Sequence, residues 1–301
     1  MVSMLFCGAC DYEFFAHDPV ADIANDQLDK TRLASAGLDI PTIGEDFSNG
    51  IAQSERFLSS LPHTPLQGSC VLEVGCSWGY LLDLVRQGGE IPYGVEINAV
   101  RRHFVEKELG ITCFSSLEDC ADAGLQFTSI FMPYVIEYVA DPITFITKAI
   151  SLLAPAGRLV LVTPNRLDAL RSVWRNSDYE RFFYDFHAIN YFSPKAISAL
   201  CERAGGSQKV QIETRQGYSF MNHASWYLTG RPRTTGVVGG DRFVEDITYE
   251  WGQGQHLGSV DEARIEAARL LKKFDADYRN LLCRHELGNQ IFAIVTRGAE
   301  A

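Results

Sequence analysis

The stretch Val71-Leu72-Glu73-Val74-Gly75-Cys76-Ser77-Trp78-Gly79, followed by Gly94-Val95-Glu96-Ile97, decides how this chain folds. A short apolar run ends in a turn that carries glycines. Leu81, Leu82, Leu84 and Val85 then recur at helical spacing, and Gly88-Gly89 stops that pattern. A second apolar run follows and ends in an acid. Strand, tight turn, helix and strand make a βαβ unit. Its turn lets the backbone approach a ligand, and a carboxylate at the end of the second strand suits a pair of ribose hydroxyls. The pattern is that of a nucleoside site.

Outward from it, apolar runs alternate with helical patterns. Strands are expected at 70–75, 92–97, 111–115, 127–133 and 158–163, a sequence of crossovers that implies a mostly parallel sheet. Asp141-Pro142 and Ser193-Pro194 each place a capping side chain before a proline at the first helical position. Residues 1–66 have weak periodicity and read as a helical, partly mobile N-terminal extension, with its clearest helix from Gln53 to Leu61. Residues 67–165 form the nucleoside-binding core. Residues 166–258 are rich in aromatic residues (Trp174, Tyr179, Phe182, Phe183, Tyr184, Trp226 and others) and include core elements at 193–216. In 259–301, Ser259 and Glu262 form a capping box. The helix they open carries Ile265, Ala268, Leu271, Phe274, Tyr278 and Leu281 toward a core. The run Gln290 to Thr296 re-enters the sheet as a last, antiparallel strand.

The 301 residues carry 27 Lys and Arg against 38 Asp and Glu, a formal charge of −11. A nucleic-acid footprint needs clustered basic residues, so this balance opposes one. No apolar stretch approaches a membrane span, and the N-terminus has no basic region before a long apolar core. The eight Cys have no framework spacing, and the expectation is a reduced, cytoplasmic protein.

A dinucleotide turn would be G-x-G-x-x-G, with close glycines for a pyrophosphate. Here Ser77 replaces the second glycine and the third is missing, while Glu73 precedes Gly75 by two. The pattern E-x-G-x-(G/S)-x-G resembles motif I of the class I S-adenosylmethionine (SAM)-dependent methyltransferases. Four further segments resemble that family in its order. They are Ser115 to Glu118 after the third strand, Phe131 to Pro142 after the fourth, Gly157 to Asn165 at the fifth, and His187 to Pro194 before the next helix. The resemblance covers about residues 68–205 and the last strand.

The resemblance implies a Rossmann-like, seven-strand α/β sheet with helices on both faces, binding SAM and releasing S-adenosylhomocysteine. It implies cofactor contacts from Glu73, Gly75, Cys76, Ser77, Gly79, Tyr80, Glu96, Ile97, Asn98, Ser116, Leu117, Met132, Pro133 and Tyr134. Glu96 would hold the ribose hydroxyls and Glu73 would position the amino group. The variable acceptor site would be covered by residues 1–66 and 166–258.

Methyl transfer is an in-line displacement that alignment alone can accelerate. A hydroxyl nucleophile of high pKa also needs a base, for which His is suited. His187 and His223 are the candidates. Tyr138, standing where the family usually has His, completes the catalytic set. Tyr184, Arg175, Arg181 and Asn222 are candidate acceptor contacts. The expected reaction is O-methylation of a sugar, glycan precursor or secondary metabolite, with N- or C-methylation of a natural product as the alternative. An NAD-dependent oxidoreductase and a non-catalytic methyltransferase-like protein are the rivals of other classes. Cys7-Gly-Ala-Cys10 is similar to half of the zinc ribbon of some sugar C-methyltransferases. No second C-x-x-C follows it, so no metal is expected. The expected partner is a small-molecule acceptor, with neither nucleic acid nor membrane, and a homodimer is compatible with the sequence.

Overall fold

The computed structural model describes residues 4–15, 43–61, 68–184, 188–205, 208–232 and 259–298. Its strands are β1 (Met4–Cys7), β2 (Tyr12–Phe15), β3 (Cys70–Val74), β4 (Ile91–Val95), β5 (Cys113–Phe114), β6 (Phe127–Pro133), β7 (Leu153–Pro164), β8 (Asn190–Tyr191), β9 (Lys209–Arg215) and β10 (Gln290–Thr296). Its helices are α1 (Ile43–Ser60), α2 (Tyr80–Gln87), α3 (Ala99–Lys107), α4 (Leu117–Asp122), α5 (Pro142–Ser151), α6 (Ala169–Ser172), α7 (Ser177–Phe183), α8 (Pro194–Gly205), α9 (Phe220–Thr229) and α10 (Ser259–Arg284).

Seven strands form one sheet in the order β5-β4-β3-β6-β7-β10-β9. The sheet is mostly parallel with an antiparallel end. β3 pairs in parallel with β4 and β6, and β6 pairs in parallel with β7. Central parallel strands are covered on both faces, which is why they read as continuous apolar runs. Val71, Leu72, Ile130, Leu159 and Leu161 accordingly have no exposed surface. The Asp141 carboxylate accepts from the Thr144 amide at 3.1 Å, and the Ser193 hydroxyl from that of Ala196 at 3.1 Å. Both expected helix starts are therefore built as the sequence implies.

The chain forms two compact units. The first is Met1–Pro164 with Phe186–Ile212 and Ile291–Ala301, and the second is Asn165–Asp185 with Glu213–Gln290. In the first, Glu13 and Phe14 of β2 pair with Tyr191 and Asn190 of β8, giving a three-stranded sheet β1-β2-β8. The N-terminal segment was expected to be helical, yet residues 4–15 form a hairpin. Met-Leu-Phe-Cys and Tyr-Glu-Phe-Phe favour strands, and the turn between them uses Asp11 at φ 58°. α1 is also longer than the Gln53–Leu61 expectation, and it is part of the core. Phe57 meets Phe131 edge-on at 5.4 Å, and Leu58 and Leu61 pack with it over Val71, Leu81 and Val160.

In the second unit, Leu170, Tyr179 and Trp226 form a core with Trp174, Phe182 and Phe183 against it. Much of the aromatic content of 166–258 is this unit's own interior. The inward face of α10 differs from the expected one. Ala268, Asp275 and Leu282 are buried, whereas Ile265, Phe274 and Leu281 are each at least 40% exposed. The true seam runs 268-271-275-278-282 at alternating spacings of three and four. Asp275 hides it from a hydropathy pattern. That carboxylate is inward because it accepts from the Phe220 amide at 2.7 Å and pairs with Arg279 at 2.6 Å.

Candidate functional site

The strand pairings bring the C-terminal ends of β3, β4 and β6 side by side, where open α/β sheets bind ligands. The turn after β3 is pulled toward β4: the amides of Gly75 and Cys76 donate to the Val95 carbonyl at 2.7 and 3.1 Å. Gly75 and Gly79 sit at φ 75° and 81°. A Cβ at Gly75 would meet Val135 at 2.6 Å, and one at Gly79 would meet Leu109 at 2.7 Å. Both positions need glycine for its conformation and for its lack of a side chain. Ser77 is also left-handed, at φ 51°, a costly state for a residue with a Cβ. Its amide donates to Glu96 Oε2 at 2.8 Å, which ties the turn to the acid on the next strand.

Glu96 is 6% exposed. Its second oxygen, Oε1, accepts from the Asn98 amide at 2.8 Å. Each carboxylate oxygen thus takes one backbone N–H and keeps a lone-pair direction to spare. Two fixed acceptors in one plane fit a vicinal diol. Asn98 is in turn held by capping α3, accepting from Val100 and Arg101 at 2.9 and 3.1 Å.

Glu73 is 6% exposed, and its Oε2 is buried without a hydrogen-bond partner. Burial, then repulsion from Glu96 and Cys113, pushes its carboxyl well above the ordinary range. An orphaned buried carboxylate fits a cationic ligand group, and the ammonium of SAM supplies one. The residues present therefore suit that cofactor: Glu73 for the ammonium, the Gly75–Gly79 turn for close approach, and Glu96 for the ribose. A cation favours ionised Glu73, so SAM affinity should fall as acidification protonates this carboxyl. Glu96, Cys76 and Cys113 surround it and add no opposing positive charge. Calorimetric titration from pH 8 to 5 should show this fall, and Glu73→Gln should flatten it at a weaker affinity. A pH-independent wild-type affinity would refute the assignment.

The other expected cofactor residues are distributed unevenly. Tyr134 follows β6 directly, after Pro133, at φ 57° with 43% of its surface exposed. Ile97 is 47% exposed. The side chains of Leu117 and Met132 lie in the hydrophobic core, so only their backbone can face a ligand. Ser116 spends its hydroxyl capping α4, accepting from Asp119 at 3.2 Å. Cys76 is buried with its sulfur 3.6 Å from that of Cys113. The Tyr80 ring is packed against Gly50 of α1.

Among the catalytic candidates, His187 lies outside the described residues. Tyr138 is half-buried in a 3-10 turn, Ile136–Tyr138, beside buried Glu137, whose Oε2 accepts from Thr163 at 3.3 Å. His223 is fully buried in the second unit with both ring nitrogens engaged, Nδ1 with Tyr278 at 2.6 Å and Nε2 with Gln216 at 3.1 Å. Burial, then the Arg279 charge, pulls it down to about 4. Neither nitrogen is free to take a proton from an acceptor in this arrangement.

The acceptor candidates differ in their surroundings. Asn222 is buried in the first turn of α9. Arg175 is exposed, and Arg181 forms an exposed pair with Asp178. Tyr184 receives a hydrogen bond from Arg171, whose guanidinium lies over the Phe183 and Tyr184 rings at 4.7 and 4.6 Å. Gln216 was not singled out in the sequence, and Tyr278 only as a core-facing position of α10. Their partners lie as far as 104 positions away, so no local pattern marks them. Among the described residues no His, Cys, Asp and Glu cluster could hold a metal, and no helix is long and apolar enough to cross a membrane.

The chain is similar to known methyltransferases in sequence and in fold. A family model described as a methyltransferase domain matches residues 49–206. A ubiquinone biosynthesis O-methyltransferase of Cereibacter sphaeroides is 32% identical over 203 residues, covering 62% of this chain and 78% of the relative. Several other matches cover only 43% to 65% of the relative. A protein of the same name from another strain is 33% identical over 38% of this chain and 48% of its own length. One from Xylella fastidiosa is 35% identical over 34% and 44%. A chain in the complex of the Haloferax volcanii Trm112 methyltransferase activator with a methyltransferase shares the fold. Its TM-score is 0.50 at 12% identity, over 94% of this chain and 99% of that one. An acid-flanked glycine turn joined to a second-strand carboxylate, inside a matched domain that spans more than half of the sequence, makes this chain a member of the class I SAM-dependent methyltransferases.

Proposed function

We propose that the protein O-methylates a small molecule, at a hydroxyl of a secondary metabolite, sugar or glycan precursor. The observation that carries this reading is the relative that shares 32% identity over 78% of its length and is named an O-methyltransferase. The cofactor supplies an electrophilic methyl on a sulfonium. The chain's own work is to fix that cofactor at both ends, through Glu73 and Glu96, so that the methyl points in one direction. A hydroxyl acceptor also needs its proton taken. His187 is the residue we assign to that step, since both nitrogens of His223 are engaged.

The test is incubation of the protein with trideuteromethyl-SAM and fractionated small-molecule extracts, read by mass spectrometry. The expected product carries the label on oxygen and diminishes with His187→Ala, while SAM binding is unchanged. Label on nitrogen or carbon would replace the O-methyl reading. Full turnover by His187→Ala would remove that residue as the base.

A further inference from the structure

The hydrogen bonds around Tyr278, all within the second unit, leave one proton with a direction and no acceptor among the described residues. Gln216 fixes the sequence of donors. Its Oε1 accepts from the Asn289 amide at 3.0 Å, and its Nε2 donates to the Tyr218 carbonyl at 2.9 Å. The amide is thus oriented, and its second N–H points at His223 Nε2, 3.1 Å away. That nitrogen must accept, so the ring's proton sits on Nδ1. Nδ1–H then donates to the Tyr278 hydroxyl at 2.6 Å. The Trp174 indole N–H donates to the same oxygen at 2.9 Å.

A phenolic oxygen accepts at two positions and donates at one. Here both accepting positions are used. The hydroxyl keeps its proton at neutral pH, as an ordinary phenol does, and burial pushes Tyr278 further up, to about 12. The ring is only half-buried. Around it stand aromatic surfaces: Phe220 at 5.2 Å and Phe274 at 6.5 Å, the latter 48% exposed.

We propose that Tyr278 is a ligand-binding hydrogen-bond donor, aimed by Gln216, His223 and Trp174, that takes a lone-pair oxygen on a flat apolar molecule. His223 and Gln216 are positioning residues, acting through the tyrosine. That the ligand is the methyl acceptor rests on the reading above; the donor site itself does not.

The test separates the two. Binding of p-cresol and of p-xylene, its counterpart of similar shape without the oxygen, is measured by NMR titration in the absence of SAM. SAM binding is measured on its own. The wild type should bind p-cresol several-fold more tightly, in keeping with a net hydrogen bond of about 1 kcal/mol, and Tyr278→Phe should abolish the preference. Nitrogen-15 spectra of labelled histidine should show His223 with its proton on Nδ1. Gln216→Glu puts an acceptor opposite Nε2 and should move that proton to Nε2. Tyr278 then donates to Nδ1, and the p-cresol preference is lost although Tyr278 is intact. Thermal melts establish that each variant folds. Equal binding of the two probes, no binding of p-cresol, or a proton on Nε2 in the wild type would overturn the proposal. Loss of SAM binding in the wild type would instead count against the cofactor site.

Discussion

Glu96→Ala should weaken SAM binding by about 100-fold or more, with the sheet intact. Two hydrogen bonds from ribose hydroxyls to an ionised carboxylate contribute about 1.5–3 kcal/mol each. Together they correspond to roughly two to four decades in affinity. A second loss adds to this. Glu96 Oε2 is the acceptor for the Ser77 amide, and Ser77 sits at φ 51°. Without that bond nothing offsets the cost of the left-handed serine, and the turn relaxes away from the approach that the cofactor needs. Ser77→Gly should therefore recover part of the affinity lost in Glu96→Ala, since glycine adopts that conformation without strain. Isothermal titration with SAM reads both effects, and far-UV circular dichroism checks the fold. Wild-type affinity in Glu96→Ala would remove the ribose assignment. Absence of any rescue by glycine would confine the role of Glu96 to direct contact.

The conformation of the glycine turn was legible because its requirements are local. Gly75 and Gly79 are needed where φ is positive and neighbours approach closely. Glu73 and Glu96 end adjacent strands, so sequence spacing places them on one edge of the sheet. The helix starts at Asp141 and Ser193 were equally plain, each being set by residues within four positions. What escaped was decided by distant partners. Tyr12 and Phe14 read as part of a helical extension, yet Tyr12 bonds to Asn190, and Asn190 donates to the carbonyls of Ile136 and Val139. Asp275 broke the apolar pattern of α10 and hid its buried seam, because its reason for facing inward is the amide of Phe220, 55 residues away. His223 was one of two candidate bases in the sequence. Only the position of Gln216 and Tyr278 shows that its nitrogens are already spent.

The same burial predicts an acid response of opposite sign at two residues of the second unit. His223 is pulled from 6.5 to about 4, so its neutral form is the one the fold accepts. Its contribution is present above pH 6.5 and is lost as pH falls toward 4. Asp168, fully buried, is pushed from 3.8 to about 6 by desolvation, against the Leu170 amide and Tyr179 hydroxyl that hydrogen-bond it. Its contribution runs the other way, present at low pH and lost as pH rises through 6. At those values each group contributes about 2 kcal/mol of change between pH 7 and 4.5. In the wild type the two nearly cancel. Removing one should expose the other. His223→Gln should be less stable than wild type at pH 7, where it loses a packed ring. Acidification to pH 4.5 should then narrow that deficit by about 2 kcal/mol. Asp168→Asn should become more acid-labile than wild type by a similar amount. Urea unfolding followed by tryptophan fluorescence at both pH values measures the slopes, and Trp174 and Trp226 report from this unit. Parallel acid slopes in the two variants would show that neither group titrates as its burial requires.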